Sequence, residues 1–482
     1  MKVTPPSYIP DGHCGYCKDS KLDHYALESE SRRRAGFGGL VKESMTIGMS
    51  IWEMTCQEYD ELINKGFRRS GTFLYKNDLL RSCCRLYTIR TNFLHFQISK
   101  KQRKIVNKFI NAICPLASEL SPLAKNTFDL GRLIEAILKS KDFYTKFEPS
   151  SFSREKFELY KRYQVRVHND DPDDVDEESF IRFLCNTPFS GNEVQGKPQD
   201  WENLKIENWP KNKSAGTDYC RQSKRIGPTH ECYYLHGKLI AISVLDFLPS
   251  GISSIYFIWD PDYAYLSLGT ISGIKEIQMC NELEYDWYYL GYYVEDCPKM
   301  KYKDQFGGEI LDLCTETYYP LAEVRKFIQN GRLFVIGEAD RGNKGGGEGE
   351  KGGGEFFMPD NQYPNEGHVK DGFTNVAEKL YGSCDVEIIA NKAGNELANK
   401  YSVSRTNQYN LPNVIPGVFP LPQILYWFQS GALDSDFETR LLIGGRSKKV
   451  KFSQLSDEGK GLIIDCIRLF GIERMKQVVL VF

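Results

Sequence analysis

The stretch ECYYLHGKLIAISVLDFLPSGISSIYFI, residues 231–258, decides the fold. It predicts a β-hairpin in which Tyr233–Leu235 and Lys238–Val244 are strands and the His-Gly pair at 236–237 is the turn between them. A second strand pair is predicted around Ser253–Trp259. Apolar and aromatic residues fill these segments, which favours strands that lie buried in one central sheet.

Further helices and strands are predicted on both sides of this stretch. Residues 99–114 have the pattern of a helix, because Ser99 suits an N-cap and the apolar side chains of Ile105, Phe109, Ile110 and Ile113 share one face. Residues 153–184 are predicted as two helices around an acidic loop, and 186–229 as loop. The other predicted elements are helices near 130–138, 269–283, 321–328, 423–428 and 459–470, and strands at 287–294 and 478–482.

The composition is that of an ordinary globular protein. The chain has 482 residues and a formal net charge of −2, so any nucleic-acid binding must use a local basic surface. There is no apolar run long enough to span a membrane, and residues 1–6 lack the apolar core of a signal peptide. A cytosolic or nuclear protein without a membrane partner is expected, and a monomer.

Four cysteines near the start of the chain suggest a metal site. Cys14 and Cys17 form a CxxC, whose two intervening residues let both thiolates face one point, and Cys83 and Cys84 are adjacent. Four thiolates suit zinc or an iron–sulfur cluster. The long separation between the pairs is unusual for a zinc ribbon, so buried thiols or a redox pair remain an alternative.

Composition shifts divide the chain into four parts. Residues 343–355, NKGGGEGEKGGGE, are of low complexity, so 336–372 is predicted to be a disordered insertion. An N-terminal domain with the cysteine site is expected at 1–150 and a second domain at 151–335. Residues 373–482 are expected to pack on the second domain.

Several sequence blocks in the first half resemble one known family. They are CGYC at 14–17, SMTIGM at 44–49, GFRRSGTFLYK at 66–76 and CCRLYTIR at 83–90. Together they are similar to the amino-terminal half of the eukaryotic arginyl-tRNA–protein transferases. Arg85 stands where that family usually has proline, and Phe67 where it often has tryptophan.

The middle of the chain resembles the carboxy-terminal half of the same family. The blocks are LHGKLIA at 235–241, VLDFLP at 244–249, SSIYF at 253–257, YYLGYY at 288–293 and CPKMKYK at 297–303. The resemblance covers most of residues 10–330, with the blocks in the family's order.

The resemblance implies a fold, a reaction and partners. The implied fold is α/β, a two-lobed acetyltransferase-like (GNAT-type) architecture with an N-terminal cysteine region. The resemblance implies acceptor recognition in the domain at 1–150 and catalysis in the domain at 151–335. The implied reaction moves arginine from arginyl-tRNA to the N-terminal α-amine of proteins that begin with Asp, Glu or oxidised Cys. A ubiquitin ligase would then recognise the added arginine as a degradation signal. No GxxxxGK[ST] motif is present, so no nucleotide cofactor is expected.

Three residues are candidates for catalysis. Asp246 and Asp260 are predicted at equivalent ends of two strand pairs, beside one cleft, with Tyr256 between them in sequence. One carboxylate would take the proton of the acceptor amine and the other would hold the guanidinium of the transferred arginine. The alternative is that both aspartates are turn residues.

Basic residues are candidates for binding the two substrates. Arg68, Arg69 and Ser70 would hold the acidic first side chain of the acceptor, the alternative being a solvated loop or a phosphate contact. The tRNA acceptor stem is predicted to contact the basic face of the helix at 99–114 and a second basic segment. These tRNA-binding candidates are Lys101, Arg103, Lys104, Lys108, Lys299 and Lys301, and solvated surface is the alternative for them.

Two other functions are compatible with parts of the sequence. A metal-bearing RNA-binding protein without catalysis would need only the cysteines and the basic helix. A coenzyme A-dependent acetyltransferase would need a Gly-rich pyrophosphate loop of the R/Q-x-x-G-x-G/A type, and none follows the strands around 240–258.

Overall fold

The fold is mixed α/β and contains two β-sheets, as a computed structural model shows. The structure describes residues 1–11, 14–17, 44–114, 120, 130–209, 224–336, 375–382, 384–405 and 410–482. In chain order the strands are β1 Lys2–Val3, β2 Ser7–Asp11, β3 Ser44–Glu53, β4 Arg68–Ser70, β5 Phe73–Asn77, β6 Tyr87–Thr91, β7 Phe143–Pro149, β8 Gly227–Leu235, β9 Lys238–Phe247, β10 Gly251–Trp259, β11 Trp287–Tyr293, β12 Glu309–Asp312, β13 Thr317–Pro320, β14 Glu438–Ile443, β15 Arg446–Lys451 and β16 Val479–Val481.

The described α-helices lie around these sheets. They are α1 Cys56–Ile63, α2 Lys100–Ile113, α3 Gly131–Lys139, α4 Arg154–Tyr163, α5 Glu177–Phe180, α6 Gly191–Gln195, α7 Pro198–Leu204, α8 Leu268–Glu282, α9 Pro298–Lys301, α10 Leu321–Ile328, α11 Ala377–Tyr381, α12 Cys384–Tyr401, α13 Leu421–Ser430, α14 Asp457–Phe470 and α15 Ile472–Met475. None of the described helices is both long and apolar enough to cross a membrane.

The predicted hairpin forms the centre of the larger core. Strands β8 and β9 are antiparallel, and His236 and Gly237 both take positive φ, as a two-residue hairpin turn requires. The sheet order is β13-β12-β6-β11-β10-β9-β8-β7. The predicted second strand pair at 253–259 is instead the single strand β10, which lies between β9 and β11.

The other sheet joins the two ends of the chain. Its order is β15-β14-β16-β1-β3-β5-β4, with β2 paired to β3. Strands β1 and β16 are parallel, with Lys2 opposite Val479. The apolar run at 478–482 is therefore largely buried because it lies inside a sheet, as predicted.

The sheets do not follow the predicted division of the chain at residue 150. Strand β6 lies between β11 and β12 in the sheet of the predicted catalytic domain, and β7 forms an edge of that sheet. The division into four parts stays a prediction, but the first 150 residues contribute strands to both sheets.

Local signals placed most of the helices. Ser99 caps α2 and forms a reciprocal capping box with Gln102, and Val106, Phe109, Ile110 and Ile113 are buried on the inner face. Residues 186–229 differ from the predicted loop, because they hold α6, α7 and the start of β8. The predicted insertion at 336–372 lies outside the described residues, except for Ile336.

Candidate functional site

The candidate site begins where two parallel strands separate. Strands β10 and β11 pair only from Gly251 to Ser253, opposite Trp287 to Tyr289, although both strands continue further. Beyond this point a cavity of about 510 Å³ opens between them, lined by Ser254, Phe257 and Leu290 among others. Strand edges without a partner carry free backbone N–H and C=O groups, so this opening can bind a polar chain.

The cavity has apolar walls and a basic rim. Trp259, Leu290 and Phe306 contribute apolar surface, and Glu276 of α8 contributes a carboxylate. Lys101 and Ile105 of α2 also line it, so the helix predicted to contact tRNA borders the opening. A volume of this size is typical of a small-ligand pocket.

Two buried cations lie along β11 beyond the strand separation. The Arg68 guanidinium donates to the carbonyls of Ile63, Phe67 and Gly291 at 3.1, 2.7 and 3.2 Å, and its Nε has no partner. Lys303 Nζ donates to the carbonyl of Tyr292 at 2.5 Å. Within the described residues neither cation has a carboxylate partner.

The electrostatics of these two cations differ from those of a surface pair. Arg68 is 5% exposed and its guanidinium lies 5.0 Å from the centre of the Tyr292 ring. Burial, and then the neighbouring Arg68 charge, lower the pKa of Lys303 to about 7. A bound anion would offset both the burial of the Lys303 charge and its repulsion by Arg68. The two cations therefore form a candidate anion site.

Arg69, by contrast, is fully engaged inside the protein. Its Nε donates to Asp246 Oδ2 at 2.7 Å, and its Nη2 donates to Oδ1 of the same carboxylate. Both side chains are buried, so they form a bidentate ion pair between β4 and β9. The Asp246 carboxylate is therefore not available to a substrate guanidinium. The Arg69 guanidinium is likewise not available to a substrate carboxylate.

The three predicted catalytic residues do not share one cleft. Strands β9 and β10 are antiparallel, with Asp246 opposite Ser253 and Ala241 opposite Trp259. Asp246 and Asp260 therefore lie at opposite ends of the hairpin, because the ends of antiparallel neighbours point in opposite directions. The expected equivalent placement of these two strand ends is not what the structure shows.

Asp260 and Tyr256 are held by other partners. The Asp260 carboxylate lies 3.0 Å from Arg162 and 2.9 Å from Lys238. Tyr256 donates its hydroxyl to Gln164 at 2.9 Å and lies 3.2 Å from a ring nitrogen of His168. Burial raises the pKa of Tyr256, so its hydroxyl stays protonated.

The remaining predicted contacts are at the surface. Ser70 is half-buried at the end of β4, and no side-chain hydrogen bond of Ser70 is among the described contacts. Lys101, Arg103, Lys104 and Lys108 are exposed along one face of α2, as predicted from the periodicity. Lys299 and Lys301 are exposed on α9, where Lys301 lies 3.1 Å from Glu295. The predicted roles of all these residues stay predictions.

The four predicted cysteines converge on one point. Cys14, Cys17, Cys83 and Cys84 place their sulfur atoms within 4.8 Å of one another, and the Cys17 and Cys83 sulfurs are 3.6 Å apart. Hydrogen bonds from Cys83 and Cys84 lower the pKa of Cys14, and the same contact with Cys14 raises that of Cys83 to about 12. The set can bind a metal ion, because four cysteine sulfur ligands lie close enough to face one point.

The cysteine site touches the buried cations through aromatic rings. Tyr292 packs in the same apolar cluster as the four cysteines, with Tyr75 and Tyr16 at its margin. Cys297 is also in this cluster, and its thiol donates to the carbonyl of Tyr16 at 3.5 Å. Arg68, stacked on Tyr292, therefore lies one side chain away from the cysteine cluster.

Two residues of this site were not among the predicted site residues. Lys303 lies in the block CPKMKYK at 297–303, and its burial cannot be predicted from that pattern. Glu276 lies in a helix whose other residues are mostly buried, and a buried carboxylate in an apolar helix is the signal that could have identified it.

Comparison with known families identifies the chain. A family model described as arginine-tRNA-protein transferase, N terminus, matches residues 12–104, and the corresponding C-terminus model matches residues 155–312. The first covers the cysteine site and β4, and the second covers the hairpin, Lys303 and the cavity-lining residues other than Lys101 and Ile105. A solved C-terminal domain of a putative lysylphosphatidylglycerol synthetase from Agrobacterium fabrum aligns with a TM-score of 0.22, which supports no statement about the fold.

Individual relatives agree with the family models. Arginyl-tRNA–protein transferase 1 of Saccharomyces cerevisiae is 40% identical over 98% of this chain and 96% of its own length. The Drosophila melanogaster protein of the same name is 26% identical over 60% of this chain and 81% of its own. An aspartate/glutamate leucyltransferase of Campylobacter jejuni is 25% identical over 52% of this chain and 79% of its own. The chain belongs to the arginyl-tRNA–protein transferase family.

Proposed function

We propose that the protein transfers arginine from arginyl-tRNA to the N-terminal α-amine of proteins that begin with Asp, Glu or oxidised Cys. The observation that carries this proposal is the cavity between β10 and β11, with basic α2 at its rim and two uncompensated buried cations along β11. The arginyl ester would lie in the cavity, and the acceptor N-terminus would approach along β11 toward Arg68 and Lys303.

The chemistry asks for few side chains, because the ester is already activated. The acceptor nitrogen attacks the ester carbonyl carbon, the bond from that carbon to the tRNA ribose oxygen breaks, and an amide forms. The proton lost by the amine balances the proton gained by the departing ribose oxygen. Backbone N–H groups on the separated strands suit the transient oxyanion.

The aspartates have positioning roles in this proposal. Asp246 and Arg69 tie the first sheet to the second, and so fix β4, which carries Arg68, relative to the cavity. Asp260 anchors the far end of β10 through Arg162 and Lys238. Water passes the amine proton on, since Tyr256 remains protonated. The separated parallel strands also support the acetyltransferase-like architecture that the sequence resemblance implies.

Acceptor selection is assigned to Arg68 and Lys303. A carboxylate, sulfinate or sulfonate on the first acceptor residue would accept hydrogen bonds from the unpartnered Arg68 Nε and from Lys303. A neutral side chain of similar shape offers these cations no charge, so it is bound less tightly. The relative named aspartate/glutamate leucyltransferase supports an acidic acceptor.

The four-cysteine site would hold zinc or an iron–sulfur cluster. A tetrahedral ion with metal–sulfur bonds of about 2.3 Å requires sulfur separations of roughly 3.8 Å, which is close to the 3.6 Å between Cys17 and Cys83. When bound, the metal would join the start of the chain to the segment before β6. Metal analysis of protein purified without oxygen, with Cys83→Ser as the variant that loses a ligand, decides the occupant.

Transfer of labelled arginine from charged tRNA to a peptide that begins with Asp tests the function. Incorporation into the Asp peptide, and none into the same peptide with an acetylated N-terminus, is expected. Binding of tRNA without transfer would favour the non-catalytic RNA-binding function. Acetylation of the peptide by acetyl-coenzyme A would instead favour the acetyltransferase.

A further inference from the structure

Glu276 is a buried carboxylate on the wall of the cavity. It is 1% exposed and lies in the middle of α8. One oxygen accepts hydrogen bonds from the hydroxyls of Ser243 and Ser272, both at 2.5 Å, and the other accepts one from the Tyr288 hydroxyl. These three donors come from β9, α8 and β11, so the carboxylate is held in one orientation.

No cation balances this carboxylate within the described part of the chain. Its neighbour Glu231 shows the contrast, because it forms a buried ion pair with Lys275. Burial raises the pKa of Glu276, which means that its charge is poorly compensated in the protein alone. A buried anion that lines a cavity and has no internal counter-charge is suited to a cationic ligand.

The walls around Glu276 fit a long side chain with a cationic end. Phe257, Trp259, Leu290 and Phe306 offer apolar and aromatic surface to a methylene chain, and aromatic faces attract a guanidinium. A carboxylate has about four acceptor positions, and three are used here, so a further hydrogen bond can form. The cavity also borders α2, which is the predicted path of the tRNA.

We infer that Glu276 binds the guanidinium of the arginine carried by arginyl-tRNA and thereby selects the amino acid that is transferred. This inference rests on the proposed function, and it replaces the role that the sequence suggested for Asp246 or Asp260. The ester lies at the edge of β10 and β11, and the arginine side chain crosses the apolar walls to Glu276.

The test measures binding of two small probes to the full chain by calorimetry. One probe is an adenosine that carries arginine through a stable 3′-amide, and the other carries citrulline, which has nearly the same shape and no charge. The wild type is expected to prefer the arginine probe by about 30-fold or more, because loss of one partner of a buried charge pair is costly. Glu276→Gln is expected to remove most of this preference. Glu282→Gln, the same change at a half-buried position of α8, is expected to retain it.

The outcomes separate this inference from the proposed function. A wild type that transfers labelled arginine but binds both probes equally overturns the inference alone, as does a Glu276→Gln variant that keeps the full preference. A wild type without transfer activity contradicts the proposed function instead. If circular dichroism shows that Glu276→Gln does not fold, Thr270→Phe narrows the cavity without altering the Glu276 hydrogen bonds. Unchanged binding of the arginine probe by that variant would also overturn the inference.

Discussion

Two adjacent arginines on β4 illustrate the difference between a structural charge and a candidate substrate contact. Arg69 forms a buried bidentate pair with Asp246, whereas the hydrogen bonds described for Arg68 go to backbone carbonyls and its Nε has no partner. Neighbouring residues on a strand point to opposite faces, so one arginine faces β9 and the other faces β11. Two arginines one position apart therefore differ. Arg69 has an ionic partner inside the protein, and Arg68 has none among the described residues.

The same contrast holds for the carboxylates in and next to the sheet that contains β9. Asp246, Asp260 and Glu231 each have a cationic partner, and Glu276 has none among the described residues. A buried charge without a partner destabilises a protein, so its presence beside a cavity points to a ligand. The open charges, Arg68, Lys303 and Glu276, are therefore the residues to which we assign substrate recognition.

The largest expected effect is on stability and concerns the buried Arg69–Asp246 ion pair. Asp246→Ala leaves Arg69 buried without a counter-charge, so the free energy of unfolding should fall by about 3–5 kcal/mol. Asp262→Ala, which breaks the exposed pair with Arg166, should lower the free energy of unfolding far less, because solvent screens this pair. Chemical denaturation measures both. Equal decreases in the free energy of unfolding for the two variants would mean that the Arg69–Asp246 pair does not join the two sheets.

Removing the exposed positive charges of α2 is expected to weaken tRNA binding without changing the stability of the protein. Replacing Lys101, Arg103, Lys104 and Lys108 with Ala should weaken arginyl-tRNA binding by about 100-fold at low salt and flatten its salt dependence. The matched control removes four equally exposed charges from the edge strand β15, namely Arg446, Lys448, Lys449 and Lys451. A larger loss of affinity in the control than in the α2 variant would contradict the assignment of α2.

A smaller effect is expected from pH, through Lys303. Its pKa of about 7 lies below the usual value for lysine, so the side chain is charged below about pH 7 and neutral above it. The preference for Asp over Asn acceptors should therefore fall by about tenfold as pH rises through this range. The stability contribution of this group has the opposite sign, because the unfolded chain retains the proton above pH 7 and unfolding becomes less favourable as pH rises.

The ratio of kcat/KM for Asp and Asn peptides between pH 6 and 9 measures this step. The peptide α-amine titrates in the same way in both substrates, so its effect cancels in the ratio. Lys303→Met should give a ratio that does not change with pH. A wild-type ratio that is equally flat would exclude Lys303 from acceptor selection.

Local sequence predicted the features that depend on neighbouring residues. The His-Gly turn fixed the register of β8 and β9, Ser99 fixed the start of α2, and the CxxC identified one half of the cysteine site. Charge pairing could not be predicted in this way. Whether Arg68 or Arg69 meets a carboxylate depends on β9 and β11, which lie far along the chain, and on the side of β4 that each strand contacts.

The candidate catalytic aspartates show the same limit. Asp246 and Asp260 have the same local appearance, since each follows an apolar strand and precedes a turn. Their separation follows from the antiparallel pairing of β9 with β10. The predicted second strand pair at 253–259 is the single strand β10, so the predicted positions of the two aspartates were wrong. Glu276 had no local signal beyond its apolar helix, because the cavity it lines is formed by residues from six separate segments.

A double-mutant cycle between Arg68 and the first acceptor residue tests the central claim most directly. The four kcat/KM values are those of the wild type and Arg68→Gln, each with an Asp and an Asn peptide. If Arg68, a buried cation without a carboxylate partner among the described residues, selects the acceptor, the coupling free energy between Arg68 and the first acceptor residue should be about 1.5 kcal/mol or more. The preference for the Asp peptide should then largely disappear in Arg68→Gln. A coupling near zero, with both peptides affected equally, would show that Arg68 supports the fold as Arg69 does and would contradict the account.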